Sequence, residues 1–292
     1  MAFYLYSGFE WLEICTWSAT LALSCVACMW LLWHLGWQER PLGTVNSLAY
    51  LLKYLAVADL GYSISELAQM LFSSLARGWD STSSNLYCQV IVTVSSWFLC
   101  CSILVEVLIA FAFLFHSLFC SAALRTLRRS IPAAFVFGIL IGTCYGLSAE
   151  VYFSDGFCTQ PEHVSNYILV KLLLTGALAC IISYAVVFFC CCLLGHRGVM
   201  RKARRNLVFY PVNYLLTYGA VLLYLARVIP DTGWGTFMAG TLDGCNGLFN
   251  ALTYASQLQT EVDGFMRLED STGSDPEQFE DEPMQTHVVT DT

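Results

Sequence analysis

The residues of this chain best able to do chemistry sit where charge is costly. Asp59, Glu66, Glu106, Lys171, Arg227 and Asp243 are embedded in long apolar runs. Ionisable groups in such runs face a bundle interior or water, and they mark function or pair with one another. Asp59 and Glu66 are two helical turns apart and share a face, with Glu66 about 10 Å further along the axis. Asp243, Asn246, Asn250 and Tyr254 follow one another at spacings of three and four, which makes one stripe of one helix. A buried carboxylate needs donors or a cation, so this stripe is expected to face Asp59. Two readings of that polar core stand together: a clamp that fixes helix packing, and a switch whose bonds rearrange. Lys171 and Arg227 either form an inward basic spot suited to an anionic small ligand or snorkel to headgroups. Arg227 lies close enough to a helix end for snorkelling.

Seven apolar stretches must position these residues: 11–37, 46–75, 87–115, 131–153, 166–195, 206–229 and 236–259. Each has about the 20 residues that cross a hydrocarbon core. With no water there, every backbone group must be satisfied within its own segment, so each stretch is expected to be α-helical. The chain is 57% hydrophobic and 12% charged, against about 25% charged in a soluble domain. A soluble fold would lack the polar surface to cover seven such helices. The expected fold class is therefore an all-α membrane protein, a seven-transmembrane helix bundle. Its one folded domain, 11–259, lies between a short outer N-terminus, 1–10, and an acidic cytoplasmic tail, 260–292.

The net charge of −8 is concentrated in that tail, where ten of the 22 acidic residues follow residue 259. A segment so acidic and so poor in apolar residues cannot bury enough surface to fold alone. Ser271, Thr272 and Ser274 lie just before acidic residues there and are candidate kinase sites. Trp11, Trp33, Trp37, Trp79 and Trp234 fall near helix ends, as an interfacial aromatic belt places them.

Charge also orients the chain. Arg40 follows the first stretch, Arg125, Arg128 and Arg129 the third, and Arg197, Arg201, Lys202, Arg204 and Arg205 the fifth. The loops between them hold one clear base, Arg77, and the loop after the fourth stretch holds Glu150, Asp155 and Glu162. Basic short loops stay cytoplasmic, so the N-terminus is expected outside and the C-terminus inside, in the plasma membrane. No basic n-region precedes the first apolar run, so that run is expected to insert without cleavage.

Of fourteen cysteines, eleven fall within the stretches (15, 25, 28, 100, 101, 144, 180, 190, 191, 192 and 245), where Cys is a small apolar filler. Cys120 belongs to a cytoplasmic loop, where thiols stay reduced. Cys88 and Cys158 remain on the oxidising side, and two cysteines alone there are expected to pair. Cys190, Cys191 and Cys192 end a helix on the inner side. They are either ordinary filling or palmitoylation sites.

These features resemble a G-protein-coupled receptor: seven helices, outer N-terminus, a helix-3 cysteine paired to the loop after helix 4, and a basic third inner loop. Leu55-Ala56-Val57-Ala58-Asp59-Leu60 resembles the helix-2 signature of rhodopsin-like receptors, and Asn250-Ala251-Leu252-Thr253-Tyr254 their Asn-Pro-x-x-Tyr motif with alanine for proline. Helix 3 ends Phe113-Leu114-Phe115-His116 without an Asp-Arg-Tyr triplet, and helix 6 has Tyr218 without Cys-Trp-x-Pro. Tyr210-Pro211, Arg227-Val228-Ile229 and Gly247-Leu248-Phe249-Asn250 are more similar to the cyclic-AMP-receptor-like group of slime moulds and other protists.

The resemblance implies a small extracellular ligand held within the bundle, with Glu66, Trp97, Lys171, Arg227 and Asp243 as candidate contacts. It makes Asp59, Asn246, Asn250 and Tyr254 the polar switch, with a possible sodium ion at Asp59. The partners it implies are a heterotrimeric G protein, facing Arg125, Arg128, Arg129, Arg201, Lys202, Arg204 and Arg205, and membrane lipids. No nucleic-acid partner and no cofactor is expected.

Other classes leave different traces. A small transporter using Asp59, Glu66 and Glu106 as a proton path is the alternative, but it is expected to show internal repeats and broken helices. Pro132 and Pro211 sit instead near expected helix starts, where proline is tolerated. A retinal Schiff base needs a lysine in the seventh stretch, and 236–259 contains none. The five histidines, 34, 116, 163, 196 and 287, are scattered. None is at catalytic or metal spacing with acids on one face, so neither an enzyme nor a metal site is expected.

Overall fold

A computed structural model describes residues 8–37, 46–75, 81–118, 120–148, 151–154, 157–159, 165–193, 212–224, 228 and 233–256. The chain divides into two units, Met1–Thr253 and Tyr254–Thr292. In the first, helices α1 (Gly8–Trp37), α2 (Asn46–Leu75), α3 (Ser81–Ser117) and α4 (Ser121–Ser148) precede a hairpin of β1 (Tyr152–Ser154) and β2 (Phe157–Thr159). Then come α5 (Ser165–Leu193), α6 (Val212–Tyr224) and α7 (Gly233–Gly244). A further helical segment, α8, covers 246–256 and runs three residues into the second unit.

The described residues are almost wholly helical. Four helical stretches are long and apolar enough to cross a membrane: Leu12–Gly36, Thr82–Phe115, Ala122–Ser148 and Leu169–Phe189. Their outward faces carry large apolar side chains such as Trp33, Phe137, Leu147, Leu174 and Phe189. Water would penalise such surface and lipid does not. This is the coarse fold that composition predicts, a helical protein of membrane character. α2 is equally long but carries Lys53, Asp59 and Glu66, and it is not among the four.

Two boundaries differ from the hydropathy reading. α4 begins at Ser121, so Arg125, Arg128 and Arg129 lie on its early turns and not in a loop. Hydropathy marks the hydrocarbon crossing, whereas arginine is a good helix former and lets the helix run on beyond the apolar stretch. Pro132 accordingly lies inside α4 and not near its start, and it leaves one backbone carbonyl without its usual partner. At the other end α4 stops at Ser148, and 152–153 are strand.

Small residues set the closest packing. Gly138, Gly142 and Gly146, spaced by four, line one face of α4. A Cβ on Gly142 would lie 2.7 Å from the Ser96 carbonyl oxygen and from the Trp97 nitrogen of α3. Backbones approach this closely only where no side chain intervenes. Cys101 fills the same role opposite Gly138.

The hairpin pairs Tyr152 with Thr159, Phe153 with Cys158 and Ser154 with Phe157. The Cys88–Cys158 disulfide joins it to α3, as the sequence predicts. The Phe153 N–H adds a 2.8 Å bond to the Asn85 side-chain oxygen. Cys88, Val92 and Val151 form the small buried cluster beneath.

Candidate functional site

The polar residues of α2, α3, α6, α7 and α8 converge in one buried network. α2 and α3 run antiparallel, and each presents a pair of groups seven residues apart. Ser102 Oγ donates to Asp59 Oδ1 at 2.5 Å, and Ser95 Oγ donates to Glu66 Oε1. The matched spacing puts both hydroxyls on the α3 face that meets both carboxylates.

Asp59 is 3% exposed, a burial that calls for several donors. Asn246 Nδ2 donates to its Oδ1 at 3.0 Å, and Asn250 Nδ2 to its Oδ2 at 2.9 Å. Asn246 Nδ2 also lies 2.9 Å from the Tyr218 hydroxyl and 3.4 Å from Ser102 Oγ. One amide has two protons for these three acceptors, so the bonds are alternatives that can exchange. Asn250 Nδ2 reaches Glu106 Oε1 as well, at 3.2 Å, and so bridges the carboxylates of α2 and α3.

A second node lies one turn before Asn246. The Tyr62 hydroxyl donates to Asp243 Oδ2, and Glu66 is within electrostatic range of both. On the other side of the network a small pocket is lined by Glu106, Ile109, Cys180, Tyr184, Tyr214 and Asn250. α6 joins through Tyr218, and through Asn213, whose Nδ2 donates to the Phe249 carbonyl at 3.1 Å and to Thr253 Oγ1 at 2.6 Å. The Tyr214 hydroxyl binds the Leu173 carbonyl of α5 at 3.1 Å.

The join between α7 and α8 is itself a device. The Cys245 N–H is shared between the Thr241 and Leu242 carbonyls, and the Leu248 N–H is taken by Ser24 Oγ of α1 at 3.2 Å. Gly244 and Gly247 make room for α1 here: a Cβ on Gly247 would lie 2.6 Å from Ser24 Oγ. The Leu248 N–H thus finds a side-chain acceptor where the helical assignment breaks at Cys245.

The expected site residues separate into groups. Asp59, Asn246 and Asn250 meet as the stripe argument requires, whereas Asp243 pairs with Tyr62 and Glu66 with Ser95. Tyr254 begins the second unit. The Trp97 Nε1–H donates to Thr143 Oγ1 of α4 at 2.8 Å, so its indole faces that helix. Lys171 is exposed on α5, and Arg125, Arg128 and Arg129 are exposed on α4. Arg227, Arg201, Lys202, Arg204 and Arg205 lie outside the described residues, as do Ser271, Thr272 and Ser274. Cys190, Cys191 and Cys192 are helical in backbone, with side chains outside the description.

The expectation did not name Ser95, Ser102, Tyr62, Tyr218 or Ser24. The matching seven-residue spacing of Ser95 and Ser102 was the available signal for the first two. Three protein donors reach the two Asp59 oxygens, out of about four lone-pair sites that a carboxylate offers.

The network can do two things chemically. It can hold five helical segments in register, and it can trade one set of hydrogen bonds for another when a helix shifts. No protein-family model matches the chain, and no curated protein compared with it matches.

Proposed function

We propose that this chain is a seven-transmembrane G-protein-coupled receptor that senses a small extracellular ligand within its bundle and signals to a heterotrimeric G protein. α2, α6 and the pair α7–α8 complete the seven spans in this reading. The N-terminus faces out and the tail lies in the cytoplasm at the plasma membrane. The observation that carries the proposal is the Asp59 network. It ties α2 and α3 to α6 and α8 through side-chain bonds in which three acceptors surround the two protons of Asn246 Nδ2. Such a junction has alternative pairings of similar energy, which is what a bistable element needs. A ligand that favours one pairing shifts the population by its differential affinity. The Cys88–Cys158 staple and the short hairpin add an organised outer end.

The test is ligand-dependent nucleotide exchange. The full chain is reconstituted with purified G proteins and challenged with a small-molecule panel that includes cyclic nucleotides. Accelerated exchange by one compound supports the receptor. Failure with every G-protein class removes it. Epitope mapping on intact cells must also find the two termini on opposite sides.

A second reading has its own observation. Asp59, Glu106 and Asp243 are buried, with Glu66 half-buried against Ser95, and intramembrane carboxylates can form ion relays. Cation- or proton-driven solute flux in proteoliposomes, without any G protein, favours a small transporter.

A further inference from the structure

The early turns of α2 and α4 bring together six groups: Tyr50, Lys53 and Tyr54, which the receptor reading leaves unassigned, and Arg125, Arg128 and Arg129, which it places toward the G protein. Tyr50, Lys53 and Tyr54 share one face of α2 by their spacing of three and four, and Arg125, Arg128 and Arg129 share one face of α4 in the same way. The two faces meet. The Arg128 guanidinium lies 4.5 Å from the centre of the Tyr50 ring and within electrostatic range of the Tyr54 hydroxyl. The Tyr50 and Tyr54 hydroxyls touch at 3.1 Å, and Tyr54 is braced edge-on by Phe135 of α4.

Charge here is one-sided. α4 contains no acidic residue, and α2 contains none before Asp59. Arg125, Arg128 and Arg129 thus share this corner without a carboxylate from either helix. The ring stack fixes the plane of Arg128 and leaves its N–H edge to donate. Of two bonded hydroxyls, the acceptor keeps its own proton to give. A planar cationic fork, a phenol donor and further cations around one point suit a phosphate monoester.

We propose that the α2–α4 junction is a binding site for a phosphate-bearing anion, chiefly the headgroup of a phosphorylated inositol lipid, with Arg128 and the Tyr50–Tyr54 pair as its recognising core. A bilayer headgroup reaches this corner because α4 is apolar immediately beyond it, from Ile131 onward. Lys53, Arg125 and Arg129 supply the long-range attraction that anionic leaflets exert on basic side chains. The site shares its arginines with the G-protein face of the receptor reading, and it meets a phosphoinositide in a cell when this end of α2 and α4 lies at the cytoplasmic leaflet.

The experiment uses the full chain in phosphatidylcholine nanodiscs, with and without a phosphatidylinositol bisphosphate, and native mass spectrometry to count bound lipid. Wild type is expected to retain one phosphoinositide in a saturable manner. Arg128→Gln is expected to weaken this about tenfold. Arg128→Lys and Tyr50→Phe keep the charge count and the ring respectively, and both are expected to weaken it several-fold. Arg125→Gln, on the exposed face, checks the effect in a variant with intact packing. A monodisperse elution profile and a preserved Cys88–Cys158 peptide show that each variant is folded. Soluble inositol trisphosphate that binds in plain phosphatidylcholine also supports the site and names a free phosphate as its source. Unaltered retention in Arg128→Lys and Tyr50→Phe, or no saturable phosphoinositide at all, overturns the proposal and leaves only general surface charge.

Discussion

The Tyr218 hydroxyl on α6 lies 2.9 Å from Asn246 Nδ2 on α8, and Ser102 sets the direction of that bond. Ser102 gives its only proton to Asp59. The contact between Ser102 and Tyr218, at 3.0 Å, must therefore run from the phenol to the serine oxygen. Tyr218 then accepts from Asn246, which closes a ring through Asn246, Tyr218, Ser102 and Asp59. Such rings stabilise more than their separate bonds.

Tyr218→Phe should remove about 1–2 kcal/mol of stability, since its removal leaves neighbouring polar groups unpaired in a buried site. Asn246→Ala should do likewise. The double variant should fall short of the sum by about 1 kcal/mol, as residues of one network do. Thermal unfolding in detergent measures all three. Strict additivity would show that the ring does not act as a unit.

Asp59→Asn keeps the shape of the side chain but replaces one acceptor oxygen with a donor. It should reach the cell surface at normal levels and change basal or ligand-driven G-protein signalling. Identical signalling would reduce Asp59 to a packing residue.

The glycines of α4 and of α1 should respond oppositely to the same change. Gly142→Ala forces a methyl group against the α3 backbone and should destabilise by about 1–3 kcal/mol. Gly36→Ala meets nothing within 4 Å. It should be neutral or stabilising by up to about 1 kcal/mol, from helix propensity alone. The pair of melting curves isolates close approach from the general effect of removing glycine.

Cys88→Ser and Cys158→Ser should each lower stability by about 2–4 kcal/mol and reduce surface expression. Non-reducing peptide mapping of wild type should recover residues 88 and 158 in one linked species. Two free thiols would remove the staple from the folded protein.

Ser24→Ala should destabilise by about 1–2 kcal/mol, because the Leu248 N–H loses its acceptor. Faster amide exchange near Leu248, compared with the middle of α3, would locate the effect. Unchanged exchange there would mean that the break is satisfied in another way.

How much of this was legible in the sequence depends on the kind of signal. Of the expected stripe Asp243, Asn246, Asn250 and Tyr254, Asn246 and Asn250 bond Asp59 as the period of the helix requires, while Asp243 lies before the break at Cys245 and bonds Tyr62. The disulfide followed from counting cysteines by compartment. Ser102 and Tyr218 were harder, because serine and tyrosine are common in apolar helices and only the partner across the interface makes them special. Trp97 shows the limit of placing a residue by helix alone. Its depth was readable, but its direction toward Thr143 depends on where α4 packs. The start of α4 was missed for a related reason, since hydropathy senses oil and not helix. The break at Cys245 left only a faint trace, the glycines 244 and 247, and its real support comes from Ser24, more than 200 positions away in the chain.

The hairpin stapled over the start of α3 has a mechanical corollary. One end of the longest helix is bolted to its neighbours covalently, by the Phe153–Asn85 bond and by the Cys88–Val92–Val151 cluster. The other end has no such fastening among the described residues. Further along, Ser95, Ser102 and Glu106 fasten the same helix to α2 and α8 through polar bonds alone, so α3 carries a covalent anchor at its start and exchangeable ones at mid-length.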